Sequence, residues 1–127
     1  MQKLIMLGSP DPKIRQGGSA KAGPVVTDNG NWIIDAPFPP LLIPSDLKDG
    51  DKGDGKNGTW EVHALGLKLR QTFGVVESGL FHGINGFQAA SDGQLEGQKP
   101  VAAYFGMENG DVQVRVAKEI EGIKSRP

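Results

Sequence analysis

At 127 residues the chain has room for one domain or the larger part of one, since a domain usually takes roughly 150 residues. A hydrophobic share of 37%, with 19 glycines and 9 prolines, points to a thin core and many turns. A net charge of −1 supplies no field to draw nucleic acid or an anionic membrane, and the lack of cysteine excludes disulfides, thiolate nucleophiles, zinc–cysteine sites and iron–sulfur clusters. That lack suits a reducing compartment, and no apolar run nears the length of a membrane span or signal core, so a soluble cytoplasmic protein is expected.

In chain order, residues 1 to 7 read as the end of a helix, with Leu4, Ile5 and Leu7 apolar and Gly8 as the stop. The segment has no polar approach or cap, which suggests a truncated chain. Ile14, Arg15 and Gln16 suit a short strand, followed by a glycine-rich link from Gly17 to Gly23. Residues 25 to 35 then read as a hairpin about Asn29 and Gly30. A two-residue type I′ turn there would set Thr27 opposite Trp32, Val25 opposite Ile34 and Val26 opposite Ile33.

The stretch from Ala36 to Thr59 reads as a long loop, unusual within a compact domain. From Trp60 to Phe73 the spacing of Val62, Leu65, Leu69 and Phe73 predicts a helix capped by Thr59, against the propensity of Gly66. Residues 75 to 81 read as a buried strand, and residues 83 to 99 as a second insertion rich in Gly, Gln and Asp. A second hairpin follows, turning at Asn109 and Gly110. Val112, Val114 and Val116 alternate with Gln113 and Arg115, which predicts one core face and one wet face. The charged tail from Lys118 to Pro127 is expected to fray.

Several clusters invite chemistry. The run Asp49, Asp51, Asp54 with its glycines resembles an oxygen cage for calcium, but counted from Asp49 the fifth position is Gly53 and the twelfth Trp60, so no EF-hand loop is encoded. Lys48, Lys52 and Lys56 offset the charge besides. Gly17 to Gly23, with Lys21, lacks the order of a phosphate loop and precedes a hairpin instead of a helix. His63 and His82 have no ligand or base partner at a suitable spacing, Asp28 and Asp35 suit a turn and a strand end, and Trp32 and Trp60 suit packing. No catalytic, cofactor-binding or metal-binding residue is assigned, and no cofactor is expected.

Three blocks nevertheless stand in a familiar order: KIRQGGSAKAGPVVTDNGNWIID at residues 13 to 35, VVESGLF at 75 to 81 and YFGMENG at 104 to 110. Together they resemble the C-terminal half of type A ribose-5-phosphate isomerases, the eukaryotic and especially fungal sort. The resemblance implies a cofactor-free interconversion of ribose 5-phosphate and ribulose 5-phosphate in the non-oxidative pentose phosphate pathway. In that chemistry a glutamate moves a proton between C2 and C1 through an enediolate, while a lysine and acidic loops steady the oxygens and a Thr/Ser-Gly-rich loop holds the phosphate. All these segments would lie upstream of residue 1, so no catalytic role transfers to a numbered position and the chain alone is expected to be inactive.

The implied architecture is α+β. Residues 1 to 83 would form a ferredoxin-like lid missing its first strand, with an insertion at about 39 to 59; residues 84 to 99 a further insertion; residues 100 to 117 a hairpin that joins a Rossmann-like sheet; and residues 118 to 127 a tail. The missing strand would leave buried backbone groups unpaired at about 1–3 kcal/mol each and an edge open to another chain. Expected partners are a sugar phosphate, held through the missing catalytic half, and further copies in a homo-oligomer, with no nucleic acid and no membrane. An alternative is a non-catalytic interaction module derived from the lid.

Overall fold

A computed structural model describes residues 1 to 19 and 22 to 118. The expectations for Lys21 and for the tail beyond Lys118 lie outside these residues. The architecture is α+β, with short helices and two small antiparallel sheets, in the order α1 (Gln2–Met6), β1 (Lys13–Ile14), β2 (Ile34–Asp35), a 3₁₀ turn (Pro44–Asp46), α2 (Val62–Arg70), α3 (Gly86–Ser91), β3 (Ala102–Gly106) and β4 (Val112–Val116). The chain divides into two compact units, residues 1 to 78 and 79 to 127.

In the first unit, α1 ends as its sequence predicts. Gly8 takes φ +109°, its N–H reaches Ile5 O, and the Ser9 N–H reaches Leu4 O at 3.0 Å, which closes the helix in a Schellman motif. Beyond it, residues 13 to 17 run between two partners. Lys13 pairs Asp35 and Ile14 pairs Ile34 on one side, while Gln16 bridges Pro24 on the other. Arg15 sits at the centre, donating its N–H to Ile33 O and accepting from the Val25 N–H.

The 24 to 35 hairpin forms, but one residue out of the predicted register. Val26 pairs Trp32, and the Thr27 N–H donates to Asn31 O. A type I′ turn needs positive φ at both central residues; here only Gly30 has it, at +80°, and among the described residues none but glycine does. The loop is therefore three residues, 28 to 30, closed by Gly30 N–H to Thr27 O, with Gly30 forming a G1 bulge. A one-residue slip exchanges the faces. Thr27 with Trp32 and Val25 with Ile34 are thus not opposed, and Val26, Trp32 and Ile34 share an exposed face.

The 36 to 59 loop is tied down by single bridges instead of strands. Leu42 bridges Glu61 in parallel, and Asp54 bridges Trp60 in antiparallel. The 3₁₀ turn within it is held by the Ile43 N–H donating to the Asp46 carboxylate at 3.0 Å. Helix α2 starts two residues later than predicted and ends three earlier, with Leu65, Gly66 and Leu69 buried. Its cap is Glu61, not Thr59, because Thr59 is occupied in the preceding turn by Asn57. Among the described residues, 75 to 81 form no strand and no backbone ladder reaches them, and Val76 and Phe81 are exposed.

The second unit holds α3, within the segment predicted to be an irregular insertion. Asn85 and Gln88 form a reciprocal capping box, the Asn85 Oδ1 accepting from the Gln88 N–H at 2.9 Å and the Gln88 Oε1 accepting from the Asn85 N–H at 3.0 Å. Gly93, at φ +69°, ends it as Gly8 ends α1. Strands β3 and β4 pair continuously from Ala102 with Val116 to Gly106 with Val112. Their loop is again three residues, with Gly110 at φ +87°. The valine face predicted to be core is exposed at Tyr104, Val112 and Val114.

Candidate functional site

The most elaborated polar centre of the first unit is the joint at Trp60 and Glu61. Trp60 O accepts from the Leu42 N–H at 2.8 Å, and the Glu61 N–H donates to Gly53 O at 2.9 Å, so two loop segments are stitched to the residues that begin α2. The Trp60 indole N–H donates to Leu7 O at 2.6 Å, fastening the end of α1 to the same point. Gly55 lies so close under the indole that an added Cβ would sit 2.3 Å from the ring. Trp60 and Glu61 are each 8% exposed.

The Glu61 carboxylate accepts from the backbone N–H groups of His63 and Ala64, each at 3.0 Å. One oxygen serves each donor, in the way an N-cap satisfies the open end of a helix. This commits the carboxylate to structure. Nearby Ser9 is fully buried, and its hydroxyl makes no hydrogen bond within the described residues.

The other residues named from sequence are dispersed. Asp51 Oδ1 accepts from the Gly53 N–H at 2.9 Å and Asp54 from the Lys56 N–H at 3.3 Å, so these carboxylates shape their own loop. Burial works to raise the Asp54 pKa, but hydrogen bonds to the Lys56 backbone and side chain outweigh it and leave the group below its ordinary value. Asp28 lies in the hairpin loop, and Asp35 ends β2 in a two-pronged pair with Arg15 at 2.9 and 2.6 Å. That hydrogen bond holds Asp35 below its ordinary pKa and Arg15 above its own. His63 stands in α2, whereas His82 is buried in the second unit. Trp60 is packed; Trp32 is 66% exposed, so packing does not account for it. Among the described residues no three His, Asp or Glu side chains converge as metal ligands, and no helix is long and apolar enough to cross a membrane.

What sequence reasoning missed is the double role of residues 60 and 61 as bridge partners and cap. A glutamate is not a favoured N-cap, and the stitching of Leu42 and Gly53 to it leaves no local pattern.

A family model described as ribose 5-phosphate isomerase A (phosphoriboisomerase A) matches residues 1–92. Curated proteins named ribose-5-phosphate isomerase are similar throughout most of the chain. The one from Lodderomyces elongisporus is 37% identical over 86% of this chain and 27% of its own length. Those from Schizosaccharomyces pombe and Saccharomyces cerevisiae are 35% and 41% identical over 92% and 80% of this chain, and 31% and 26% of their own. The chain belongs to the ribose 5-phosphate isomerase A family, and it spans between a quarter and a third of the length of these relatives.

Proposed function

We propose that this chain acts as the C-terminal part of a ribose-5-phosphate isomerase, with the groups that hold and convert the sugar contributed by the portion of the relatives it does not span. The observation that carries this reading is the family match joined to that limited share of length. Aldose–ketose interconversion needs a placed base for the proton beside the carbonyl and donors for the developing oxyanion. The carboxylates of Glu61, Asp35, Asp51 and Asp54 are each engaged in local structure, which favours a supporting role for these residues.

In this reading residues 13 to 35 and α2 belong to a ferredoxin-like lid. The β3–β4 hairpin joins the catalytic domain's sheet, which would cover the exposed face of Tyr104, Val112 and Val114. A cytosolic setting and a homo-oligomer are part of the same proposal; the lack of cysteine favours the first. The test is an assay of ribulose 5-phosphate formation. The purified chain should show no turnover, and a polypeptide extended to the length of the fungal relatives should be active. Turnover by the chain alone would refute the proposal.

A further inference from the structure

The sequence holds four Asn-Gly pairs, at residues 29, 57, 85 and 109, and glycine after asparagine leaves the least steric hindrance to attack by the following backbone nitrogen on the side-chain carboxamide. The structure treats the four differently. Asn85 is 1% exposed and its carboxamide caps α3. Asn57 donates through Nδ2 to Asp51 at 3.4 Å and accepts on Oδ1 from Thr59 Oγ1 at 2.9 Å and the Thr59 N–H at 3.3 Å. Asn109 accepts on Oδ1 from the Asp111 N–H at 3.0 Å and donates through Nδ2 to the Asp111 carboxylate at 2.9 Å. Asn29 is exposed, and among the described residues its carboxamide has no hydrogen bond.

The contrast between Asn29 and Asn109 has a local cause, because the two hairpin loops share one backbone pattern. In each, the glycine N–H donates to the residue three before it, Gly30 to Thr27 at 2.9 Å and Gly110 to Met107 at 3.0 Å. In each, the residue after the glycine presents one further N–H. Met107 has no hydroxyl, so the Asp111 N–H turns to Asn109 Oδ1. At the matching position Thr27 does have one, and its Oγ1 takes the Asn31 N–H at 3.0 Å. Thr27 thus leaves the Asn29 carboxamide free to rotate onto the Gly30 nitrogen.

We propose that Asn29 is a site of spontaneous deamidation and isoaspartate formation, with water as the co-reactant. Once the turn opens and the Gly30 N–H leaves Thr27 O, the Gly30 nitrogen loses its proton to solvent base and bonds to Asn29 Cγ; the Cγ–Nδ2 bond breaks, and ammonia leaves with a returned proton. Water then opens the succinimide at either carbonyl, giving isoaspartate or aspartate, with no change of oxidation state. The isoaspartate product lengthens the main chain inside the bulged loop that fixes the pairing of Val26 with Trp32, and it adds one negative charge.

The experiment is peptide mapping by mass spectrometry of the whole chain, incubated in mildly alkaline buffer with and without denaturant. In native buffer isoaspartate should accumulate at position 29 roughly tenfold faster than at 57, 85 or 109, the order expected when one or more ordinary side-chain hydrogen bonds hold the competing carboxamides. In denaturant the four rates should converge. Thr27→Val should slow conversion at Asn29 towards the rate at Asn109, and Asp111→Ala should speed Asn109. A native order that persists in denaturant, another asparagine converting first, no conversion at Asn29, or a Thr27→Val rate equal to that of the unsubstituted chain would each overturn the proposal.

Discussion

Between Leu42 and Glu61 the backbone makes only isolated bridges and short turns, yet this stretch ends in Trp60 and Glu61, both 8% exposed, and leads into the buried Leu65. In the β3–β4 hairpin five residue pairs form an unbroken ladder, yet Tyr104, Val112 and Val114 remain 73%, 62% and 50% exposed. Regularity and burial are inverted between the two regions. A ladder satisfies backbone groups but buries apolar side chains only when something lies on its face, and a two-stranded hairpin by itself is marginal in water. The irregular loop brings three segments of backbone onto one point, Trp60 and Glu61, so its few hydrogen bonds each close a long stretch of chain.

This contrast is sharpest under truncation of side chains. Leu65→Ala, at a site 1% exposed, should lower stability by about 2–5 kcal/mol. Val114→Ala, at half exposure, should fall within about 0.5 kcal/mol of the unsubstituted chain, as surface changes do. Chemical denaturation measures both; equal effects would erase the distinction between the regions. Gly55→Ala comes next, at about 1–3 kcal/mol, because the new methyl meets the Trp60 ring while the backbone holds φ +78°. Its near-ultraviolet tryptophan signal should change as well, since the indole must move away from Leu7 O or the loop must open.

Glu61→Ala removes the acceptor for two N–H groups at the start of α2 and should cost about 1–2 kcal/mol, seen as a lower denaturation midpoint and a loss of helical circular dichroism. Thr59→Ala, at the position sequence pattern favours as the cap, should leave helix content unchanged. The opposite ranking would restore Thr59 as the cap.

How far these features were legible depended on how local their causes are. Gly8 as a helix stop was readable because a Schellman motif is decided by one glycine and its immediate neighbours. Both hairpins were readable for the same reason, but the register of the first was not. Choosing a three-residue bulge over a type I′ turn depends on Asn29 keeping a negative φ while Gly30 alone turns positive. Helix α3 carried an available signal, Asn85 followed three residues later by Gln88, hidden within a composition that otherwise resembles loop. The strand expected at 75 to 81 rests on β-branched content, and that reports fitness for a sheet whose partner must come from elsewhere in space. The Glu61 joint lay furthest from reach, since Leu7, Leu42 and Gly53 meet residues 60 and 61 only through tertiary closure.

The smallest expected effect concerns the one two-pronged ion pair described in the first unit, Arg15 with Asp35, which ties β1 to β2 beyond their two backbone pairs. Both partners are about half exposed, so solvent and salt screen the pair. Its sign is nevertheless fixed. The hydrogen bond from Arg15 lowers the Asp35 pKa in the folded chain, so the unfolded chain binds the proton more tightly. The stabilisation is complete above the ordinary carboxylate value of 3.8 and disappears as pH falls through the lowered folded value. Asp35→Asn should therefore shift the denaturation midpoint slightly at neutral pH and not at all at strongly acid pH, where the native carboxylate is itself neutral. Added salt should shrink the neutral-pH difference further. A difference that persists in acid would assign the residue's contribution to strand packing instead of charge.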